Sequence, residues 1–211
     1  MNKKTVEKIF GVLTKEFDSS VDTELVYCNN YQLLVAIMLS AQATDRSVNN
    51  VTNKLFSVLH CPEDAITLGS EKINHYIKTI NYHNVKSKYI VSMSKLLIDN
   101  FNREVPDDFK KLTSLTGVGR KTANLVLSLA FKKARIAVDT HVFRVSNRLG
   151  LTKANNVIET EKQLTKNVPH ALHRQINNLL IPFGRKYCKA INPRCKTCPM
   201  QTFCRFKQKT S

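Results

Sequence analysis

The sequence is short of acidic residues and has no long apolar run, and these absences narrow the class of protein. No stretch reaches the roughly 18 apolar residues that a membrane-spanning helix requires. Only 16 Asp and Glu residues stand against 33 Lys and Arg residues, so the formal net charge is +17. This excess favours a polyanionic partner, either nucleic acid or an anionic membrane surface. Tryptophan is also absent, and from that we draw no functional conclusion.

The amino-terminal residues lack the features of a secretory signal. MNKKTVEKIFGVLTKEF has neither an apolar h-region nor a small-residue cleavage site. Its apolar residues instead recur at helical spacing and predict a structured amphipathic helix: Val6, Ile9, Phe10, Leu13 and Phe17. Because the chain has neither a signal nor a membrane span, nucleic acid is the preferred partner.

Helical periodicity dominates the rest of the chain and predicts an all-α fold. The only candidate strand is 135–138, and a single strand cannot form a sheet. We find no internal repeat, low-complexity tract or linker. In the first half of the chain, helices are predicted at 31–40, from near Thr44 or Asp45, from Pro62, around Ile73 and Ile77, and through Ile90 to a stop before Pro106. In the second half, the predicted helical segments are 112–115, 122–130, 140–149, 157–164 and 171–180, the last with Gly184 as a terminator.

The stretch LTGVGRKTANLVL, residues 115–127, places a two-glycine turn before a predicted helix. Backbone N–H groups at a helix N-terminus form an anion site together with the helix dipole. Gly117 and Gly119 would allow a phosphate to approach the backbone closely, in a contact that ignores base identity. The turn could equally do no more than join two packed helices. The residues alone do not decide between these two interpretations.

Lys121 lies in the first turn of that helix, where a cation is unfavourable. The same environment favours the neutral amine, which is the nucleophilic form of lysine. An ordinary lysine is almost fully charged at neutral pH, and a helix end offsets only part of that preference. Partial desolvation and the neighbouring Arg120 would have to supply the rest. The alternative is a solvated surface lysine.

Four of the six cysteines lie in CKAINPRCKTCPMQTFC, with gaps of six, two and five residues. Disulfides are disfavoured because nothing marks the chain as secreted. Structural zinc usually uses two Cys-x-x-Cys pairs, and this segment has one. An iron–sulfur cluster needs four thiolates in one compact loop, so the spacing favours a cluster over zinc and leaves both open. Cys28 and Cys61 lie among apolar residues and are interpreted as packing cysteines.

Together these features resemble the endonuclease III family, within the helix–hairpin–helix superfamily of DNA glycosylases. LTGVGRKTAN resembles the hairpin of that family with its lysine, AVDTH its aspartate motif, and SAQATD its glutamine loop. The Cys-x6-Cys-x2-Cys-x5-Cys spacing resembles its [4Fe–4S] loop. The four motifs follow the order of the family over essentially the whole chain.

The resemblance implies two helical lobes with a DNA cleft between them. It predicts a six-helix barrel at 22–133, with a helix–hairpin–helix at about 109–128, and a [4Fe–4S] domain at 1–21 plus 134–211. The cluster loop would be 188–204. Its four metal ligands would be Cys188, Cys195, Cys198 and Cys204.

The resemblance also implies a bifunctional DNA N-glycosylase and AP lyase that removes oxidised pyrimidines from duplex DNA in base-excision repair. Lys121 would attack the sugar C1′ of an extruded nucleotide and form a Schiff base, and β-elimination would cut the strand 3′ to the abasic sugar. Asp139 would be its carboxylate partner, although its simplest role is to cap the following helix. We expect a monomer, in the cytoplasm with the nucleoid DNA, and no membrane partner.

Matching positions imply DNA contacts in three places. Gln42 would fill the space left by the flipped base, or else be a capping amide between helices. Tyr82 would be the wedge between bases, although the family usually has glycine then leucine where Asn81 and Tyr82 stand. The hairpin and the cluster loop would supply the other contacts, unless their basic residues are ordinary solvated surface: Gly117, Val118, Gly119, Arg120, Lys189 and Arg194.

Two other functions stay open at this stage. An adenine mismatch glycosylase shares the hairpin and the cluster loop, but that group usually has serine at the position of Lys121 and a longer carboxyl-terminal domain. A non-catalytic DNA-binding module would explain the net charge and the glycines. It would not explain why Lys121 occurs together with AVDTH.

Overall fold

The computed structural model describes residues 2–17 and 23–206. Within these ranges the chain forms ten α-helices and one 3₁₀ helix and no β-strand, so the predicted all-α fold is confirmed. No helix in the described ranges is both long enough and apolar enough to cross a membrane. The α-helices are α1 (Lys3–Glu16), α2 (Asn30–Leu39), α3 (Asp45–Leu55), α4 (Pro62–Tyr76), α5 (His83–Asn100), α6 (Phe109–Thr113), α7 (Arg120–Leu129), α8 (Thr140–Leu149), α9 (Val157–Asn167) and α10 (Ile176–Lys186), and the 3₁₀ helix is His170–Gln175.

The helices divide into two compact units. One unit is Glu24–Phe131 and contains α2 to α7, and we call it the hairpin unit. The other combines Met1–Thr23 with Lys132–Ser211 and contains α1 and α8 to α10, and we call it the cysteine unit. Each unit has its own apolar core.

Helix α2 forms the centre of the hairpin unit. Every residue from Tyr31 to Leu39 is buried, as expected for a helix that is apolar all round. Helices α3, α5 and α7 of the same unit pack against it. Asn29 caps its N-terminus through a side-chain oxygen that accepts the Gln32 N–H at 2.9 Å.

The core of the cysteine unit is built around α1, α8 and α10. The predicted amphipathic face of α1 is buried, with Val6, Ile9, Phe10 and Leu13 inside. Phe17 lies just past the end of this helix, and its ring makes an edge contact with Phe183 at 6.4 Å between centroids. An aromatic residue therefore extends the apolar contact between α1 and α10 beyond the last helical turn.

Two helix boundaries differ from the sequence prediction. Gly184 does not end α10, because the helix continues to Lys186. A Cβ on Gly184 would lie 3.1 Å from His141 Cδ2, so this glycine instead lets α8 pack closely against α10. The short helix predicted around Ile73 is the second half of α4, which is interrupted at Gly69, with φ of 70°.

The candidate strand at 135–138 was wrong, since this segment forms neither strand nor helix. Its apolar residues Ile136, Ala137 and Val138 are buried, which explains the strand-like pattern. The backbone of Ala137 pairs with the side chain of Asn177 rather than with another strand. A side-chain amide offers one donor and one acceptor, and so it can replace a strand partner for one residue.

Cys28 and Cys61 are not buried packing residues. Cys28 is exposed in the segment before α2, and Cys61 is a partly exposed residue at the N-cap of α4. The buried part of α2 begins only at Tyr31. Cys28 therefore lies outside the core, although it is close in sequence to apolar residues.

Candidate functional site

The glycine corner is a turn between α6 and α7, held in place by two buried apolar residues. Leu115 and Val118 are both buried, and the Val118 N–H donates to the Leu115 carbonyl at 3.1 Å. Gly117 and Gly119 are exposed on the outside of this turn. Of the predicted DNA-binding residues, Val118 can therefore offer its backbone but not its side chain.

Gly117 is required by the protein's own structure. Its φ is 78°, in the left-handed region that favours glycine. A Cβ at this position would also lie 2.7 Å from Cδ2 of Tyr89 on α5. Conformation and packing both exclude a side chain, so this glycine alone does not indicate a ligand.

Gly119 differs, because nothing within the described protein requires a glycine there. Its φ of −86° and ψ of 176° are open to any residue, and an added Cβ would meet no atom within 4 Å. It is the N-cap of α7, and no side chain caps the helix at this residue. Open space at an uncapped helix N-terminus is the geometry of an anion-binding site.

Arg120 and Lys121 are the first two residues of α7, and both are exposed. The Arg120 guanidinium lies 5.0 Å from the centroid of the Phe109 ring, a cation–π contact that orients it across the hairpin. The protein does not bury Lys121. The partial desolvation expected for a nucleophilic lysine therefore has to come from a bound partner.

The structure brings together the segments that carry Gln42 and Tyr82. The Asn81 side-chain amide donates to the Gln42 carbonyl oxygen at 2.9 Å. Both Gln42 and Tyr82 have left-handed backbone conformations, with φ of 57° and 60°. Tyr82 is 62% exposed, so its ring is presented outward. The family usually has glycine and then leucine at positions 81 and 82. In this protein Tyr82 has the left-handed conformation, and Asn81 binds the neighbouring loop.

Asp139 is the N-cap of α8, as its simplest interpretation predicted. Its Oδ1 accepts the Val142 N–H at 2.8 Å, and its Oδ2 lies 3.5 Å from Nδ1 of His141. The side chain of Asn177 fixes the segment just before it, through bonds to the Ala137 N–H at 3.2 Å and the Ala137 carbonyl at 2.6 Å. One carboxylate oxygen is thus committed to the helix, which orients the other.

The four predicted cluster ligands converge within the cysteine unit. Cys188, Cys195, Cys198 and Cys204 line one small cavity, together with apolar and aromatic side chains and the side chains of Arg148 and Arg194. Burial raises the pKa of the Cys198 thiol, and the other three cysteines are close enough to raise it further. Among residues 2–17 and 23–206, no three or more Cys, His, Asp or Glu side chains are arranged to hold a single metal ion.

Two arginines of α8, one helical turn apart, hold the start of the cysteine loop. Arg144 Nε donates to the Cys188 carbonyl at 2.9 Å. Arg148 donates from Nη1 to the Lys189 carbonyl at 2.7 Å and from Nη2 to the Ala190 carbonyl at 3.2 Å. Neither arginine is predicted from the sequence to be a functional residue, although their i, i+4 spacing places both on one face of a helix.

Lys189 and Arg194 are exposed on this loop. The backbone of Arg194 is fixed by its N–H, which donates to the Tyr187 carbonyl at 2.8 Å. Both residues are accessible at the surface of this loop, and Arg194 also lines the cysteine cavity.

Comparison with known proteins identifies the family. The family model for HhH-GPD superfamily base excision DNA repair proteins matches residues 35–170. The chain is 46% identical to endonuclease III of Rickettsia conorii, covering 97% of each chain. It is 44% identical to endonuclease III of Escherichia coli K12, covering 99% of each chain.

The chain belongs to the endonuclease III family. Its fold matches a solved structure of a trapped endonuclease III–DNA covalent intermediate with a TM-score of 0.89 and 41% identity, covering 97% of this chain and 96% of the other. A thermostable thymine-DNA glycosylase at 24% identity shares the fold, with a TM-score of 0.85. As a member of the endonuclease III family, the protein is a DNA-binding enzyme of base-excision repair, of the DNA glycosylase and AP lyase type.

Proposed function

We propose that this enzyme removes oxidised pyrimidines from duplex DNA and cuts the strand 3′ to the abasic sugar, with Lys121 as its nucleophile. The observation that carries the proposal is the position of Lys121, exposed in the first turn of α7 and two residues from Gly119. At that glycine a Cβ would meet only open space. An amine and a phosphate-sized opening are thus next to each other on one helix end.

The hairpin would bind the DNA backbone through the N-terminal N–H groups of α7. A phosphate oxygen can approach Gly119 because no side chain projects there, and the positive helix end attracts it. The Val118 backbone and the charged side chain of Arg120 would add to this contact. Gly117 has a supporting role, since its φ of 78° shapes the turn. None of these contacts reads base identity, which suits an enzyme that acts on lesions in any sequence.

Lys121 would react as the neutral amine with the sugar of an extruded nucleotide. Its nitrogen forms a bond to C1′ while the bond from C1′ to the damaged base breaks, and the base leaves with the bonding electrons and gains a proton. The nitrogen then loses one proton, and the C1′–O4′ bond of the sugar breaks as O4′ takes up a proton, which leaves a protonated Schiff base between the nitrogen and C1′. Loss of a C2′ proton then breaks the C3′–O bond, which is the β-elimination step. Duplex DNA over the exposed Lys121 would exclude water and so favour the uncharged amine.

Asp139 would be the carboxylate partner in this chemistry. Its Oδ1 is held by the Val142 N–H, so its orientation is fixed before substrate binds. A fixed carboxylate can stabilise positive charge on the sugar and can accept or return a proton. His141, whose Nδ1 lies 3.5 Å from the other oxygen, would help to keep that oxygen in place.

Gln42 and Tyr82 would fill the gap that the target nucleotide leaves in the duplex when it is extruded. Extrusion costs a few kcal/mol of unstacking and unpairing, and inserted side chains recover part of that cost. Tyr82 is exposed and aromatic, which suits insertion between bases. Gln42 carries an amide that can bond to the base left without its partner.

Cys188, Cys195, Cys198 and Cys204 would hold a [4Fe–4S] cluster. They line one cavity whose other walls are largely apolar, which suits a cluster bound by four thiolates. A cluster with four cysteine ligands has no open position for substrate, and its contribution would be to stabilise a loop that has little core of its own. Lys189 and Arg194, exposed on that loop, would contact DNA phosphates. We propose that the enzyme acts as a cytoplasmic monomer.

Borohydride trapping tests the assignment of Lys121. A Schiff base reduced by borohydride leaves a covalent protein–DNA adduct, so the wild-type protein should be trapped on an oligonucleotide with an abasic site, and Lys121→Gln should not. Lys95→Gln is the matched control, because Lys95 is an exposed lysine of α5 in the same unit. Undiminished trapping of Lys121→Gln would overturn the assignment.

The substrate class needs its own measurement. A panel of duplexes carrying oxidised pyrimidines or adenine mispairs should show base release and strand cleavage only for the oxidised pyrimidines. Base release from adenine mispairs without cleavage would instead indicate an adenine mismatch glycosylase, and binding with neither reaction would indicate a non-catalytic module.

A further inference from the structure

Lys86, in the first turn of α5, connects the two segments that we propose enter the duplex. Its ammonium Nζ donates to the carbonyl oxygens of Leu39 at 2.8 Å and Ala41 at 2.7 Å. Its backbone N–H donates to the Tyr82 carbonyl at 2.9 Å. The backbone bond is the first helical hydrogen bond of α5, whose N-cap is Tyr82. The Lys86 side chain therefore ties the loop that carries Gln42 to the helix turn that begins at Tyr82.

A lysine is rarely buried, and this one is 6% exposed. Burial lowers its pKa below the ordinary value of 10.5, because an ammonium loses its water in the interior. Its charge is compensated at the C-terminus of α2, where helix carbonyls lack partners and the dipole is negative. Burying a charged group costs free energy, so a buried lysine at this position indicates a role beyond capping the C-terminus of α2.

In the loop between α2 and α3, the three successive carbonyls of residues 40, 41 and 42 each accept a hydrogen bond. The Ser40 carbonyl accepts the Ala43 N–H at 3.1 Å, within the loop itself. The Gln42 carbonyl accepts Nδ2 of Asn81 at 2.9 Å. With the bond from Lys86 to Ala41, two of these three carbonyls are held by residues in or just before the first turn of α5.

The two residues proposed to enter DNA are both held in a strained conformation. Gln42 and Tyr82 have φ of 57° and 60°, in the left-handed region that is unfavourable for a non-glycine residue. Such conformations persist where the surroundings fix them. Here the bonds from Asn81 and Lys86 to the neighbouring carbonyls fix them.

We propose that Lys86 is a positioning residue, which holds the Gln42 loop and the Tyr82 turn at a fixed separation so that both side chains enter the duplex together. This inference rests on the proposed roles of Gln42 and Tyr82. Its physical basis is preorganisation. Two independently mobile loops would lose conformational entropy at the moment of insertion, when the enzyme already has to meet the cost of extruding a nucleotide. Lys86 itself would not touch the substrate.

The test compares a reaction that requires extrusion with one that does not. Lys86→Met keeps the aliphatic chain and removes the donors, and we expect base release from a lesion-bearing duplex to slow by about 10- to 100-fold. Borohydride trapping on an abasic site in single-stranded DNA, where no opposite strand has to be filled, should stay at the wild-type level. Lys95→Met, an exposed lysine further along α5, should change neither.

A fluorescent base supplies a readout that general destabilisation would not imitate. With 2-aminopurine placed opposite a stable abasic analogue, insertion of Gln42 and Tyr82 unstacks the probe and raises its fluorescence. Lys86→Met should lower that rise at saturating protein concentration, under conditions where circular dichroism shows the variant to be folded.

Asn81→Ala keeps the proposal testable should Lys86→Met fail to fold, because Asn81 is exposed and contributes only one of the loop bonds. It should lower the duplex rate and the probe signal in the same direction. Wild-type values in both readouts for the folded variants would overturn the inference, as would an equal loss of single-strand trapping. Failure of the wild-type protein to trap abasic DNA would instead count against the proposed function.

Discussion

The side chain of Asn177 forms a reciprocal hydrogen-bond pair with the backbone of Ala137. Its Oδ1 accepts the Ala137 N–H at 3.2 Å, and its Nδ2 donates to the Ala137 carbonyl at 2.6 Å. Ala137 is 1% exposed and lies two residues before Asp139. An amide of α10 therefore fixes the segment that delivers the proposed catalytic carboxylate.

Asn177→Ala should destabilise the protein and displace Asp139. The loss leaves a buried N–H and a buried carbonyl without this partner, so we expect the free energy of unfolding to fall by about 1–3 kcal/mol in urea titrations. Strand cleavage should fall more than substrate binding, because the carboxylate is displaced. Asn155→Ala, an exposed asparagine of the same unit, is the control and should change neither quantity. A stable variant with wild-type cleavage would contradict this role.

The two hairpin glycines should respond differently to the same substitution. Gly117→Ala forces a side chain into a left-handed conformation and against Tyr89, so it should lower the free energy of unfolding by about 1–3 kcal/mol. Gly119→Ala meets neither obstacle and should cost less than about 1 kcal/mol as an alanine N-cap. Its DNA affinity should nevertheless fall. Urea titration and duplex binding measure the two effects, and an unchanged affinity for Gly119→Ala would argue against phosphate contact there.

Asp139 should show separate structural and chemical roles when two variants are compared. Asn is as good an N-cap as Asp, so Asp139→Asn should keep its stability while the reaction slows. Asp139→Ala removes both functions and should also lose about 1 kcal/mol of stability. Base release and thermal unfolding, measured on both variants, check this. If Asp139→Asn keeps wild-type activity, the carboxylate serves only as a cap.

The contact between α1 and α10 should make stability depend on pH. Glu16 Oε1 accepts two hydrogen bonds, one from the Lys186 ammonium at 2.6 Å and one from the Tyr187 hydroxyl at 2.7 Å. These bonds lower the pKa of Glu16 below 4.5. The resulting stabilisation is fully present above 4.5, the ordinary pKa of glutamate, and is lost as the pH falls through the lower folded-state pKa.

Glu16→Gln measures this contribution. The difference in free energy of unfolding between wild type and Glu16→Gln should be constant at neutral pH and should shrink as the solution is acidified below pH 4.5. Glu7→Gln, an exposed glutamate on the same helix, is the control. A difference that stays constant down to strongly acidic pH would show that the ion pair does not stabilise the protein.

The cysteine cavity predicts the metal content of the purified protein. A [4Fe–4S] cluster should give a yellow-brown preparation with about four iron atoms per chain. Cys198→Ser, which alters one ligand, should lower the iron content. A colourless protein that holds stoichiometric zinc would overturn the cluster assignment and favour a tetrahedral site.

Much of the fold could be predicted from sequence because helix formation is local. The spacing of Val6, Ile9, Phe10 and Leu13 determined the buried face of α1, and the unbroken apolar run determined α2 as a central helix. Asp139 as an N-cap and Pro62 at the first helical position also followed from local rules. The same local rules failed where packing decided, as at Gly184, at 135–138 and around Cys28.

The sequence by itself predicted which residues would carry chemistry: the glycine turn with Lys121, the aspartate motif and the four spaced cysteines. Only the tertiary structure decided what holds them. Lys86 reaches Leu39 across 47 positions, Asn81 reaches Gln42 across 39, and Asn177 reaches Ala137 across 40. The physical reason is that a helical period constrains neighbours within a few turns, whereas a hydrogen bond between distant segments exists only once the core has packed them together.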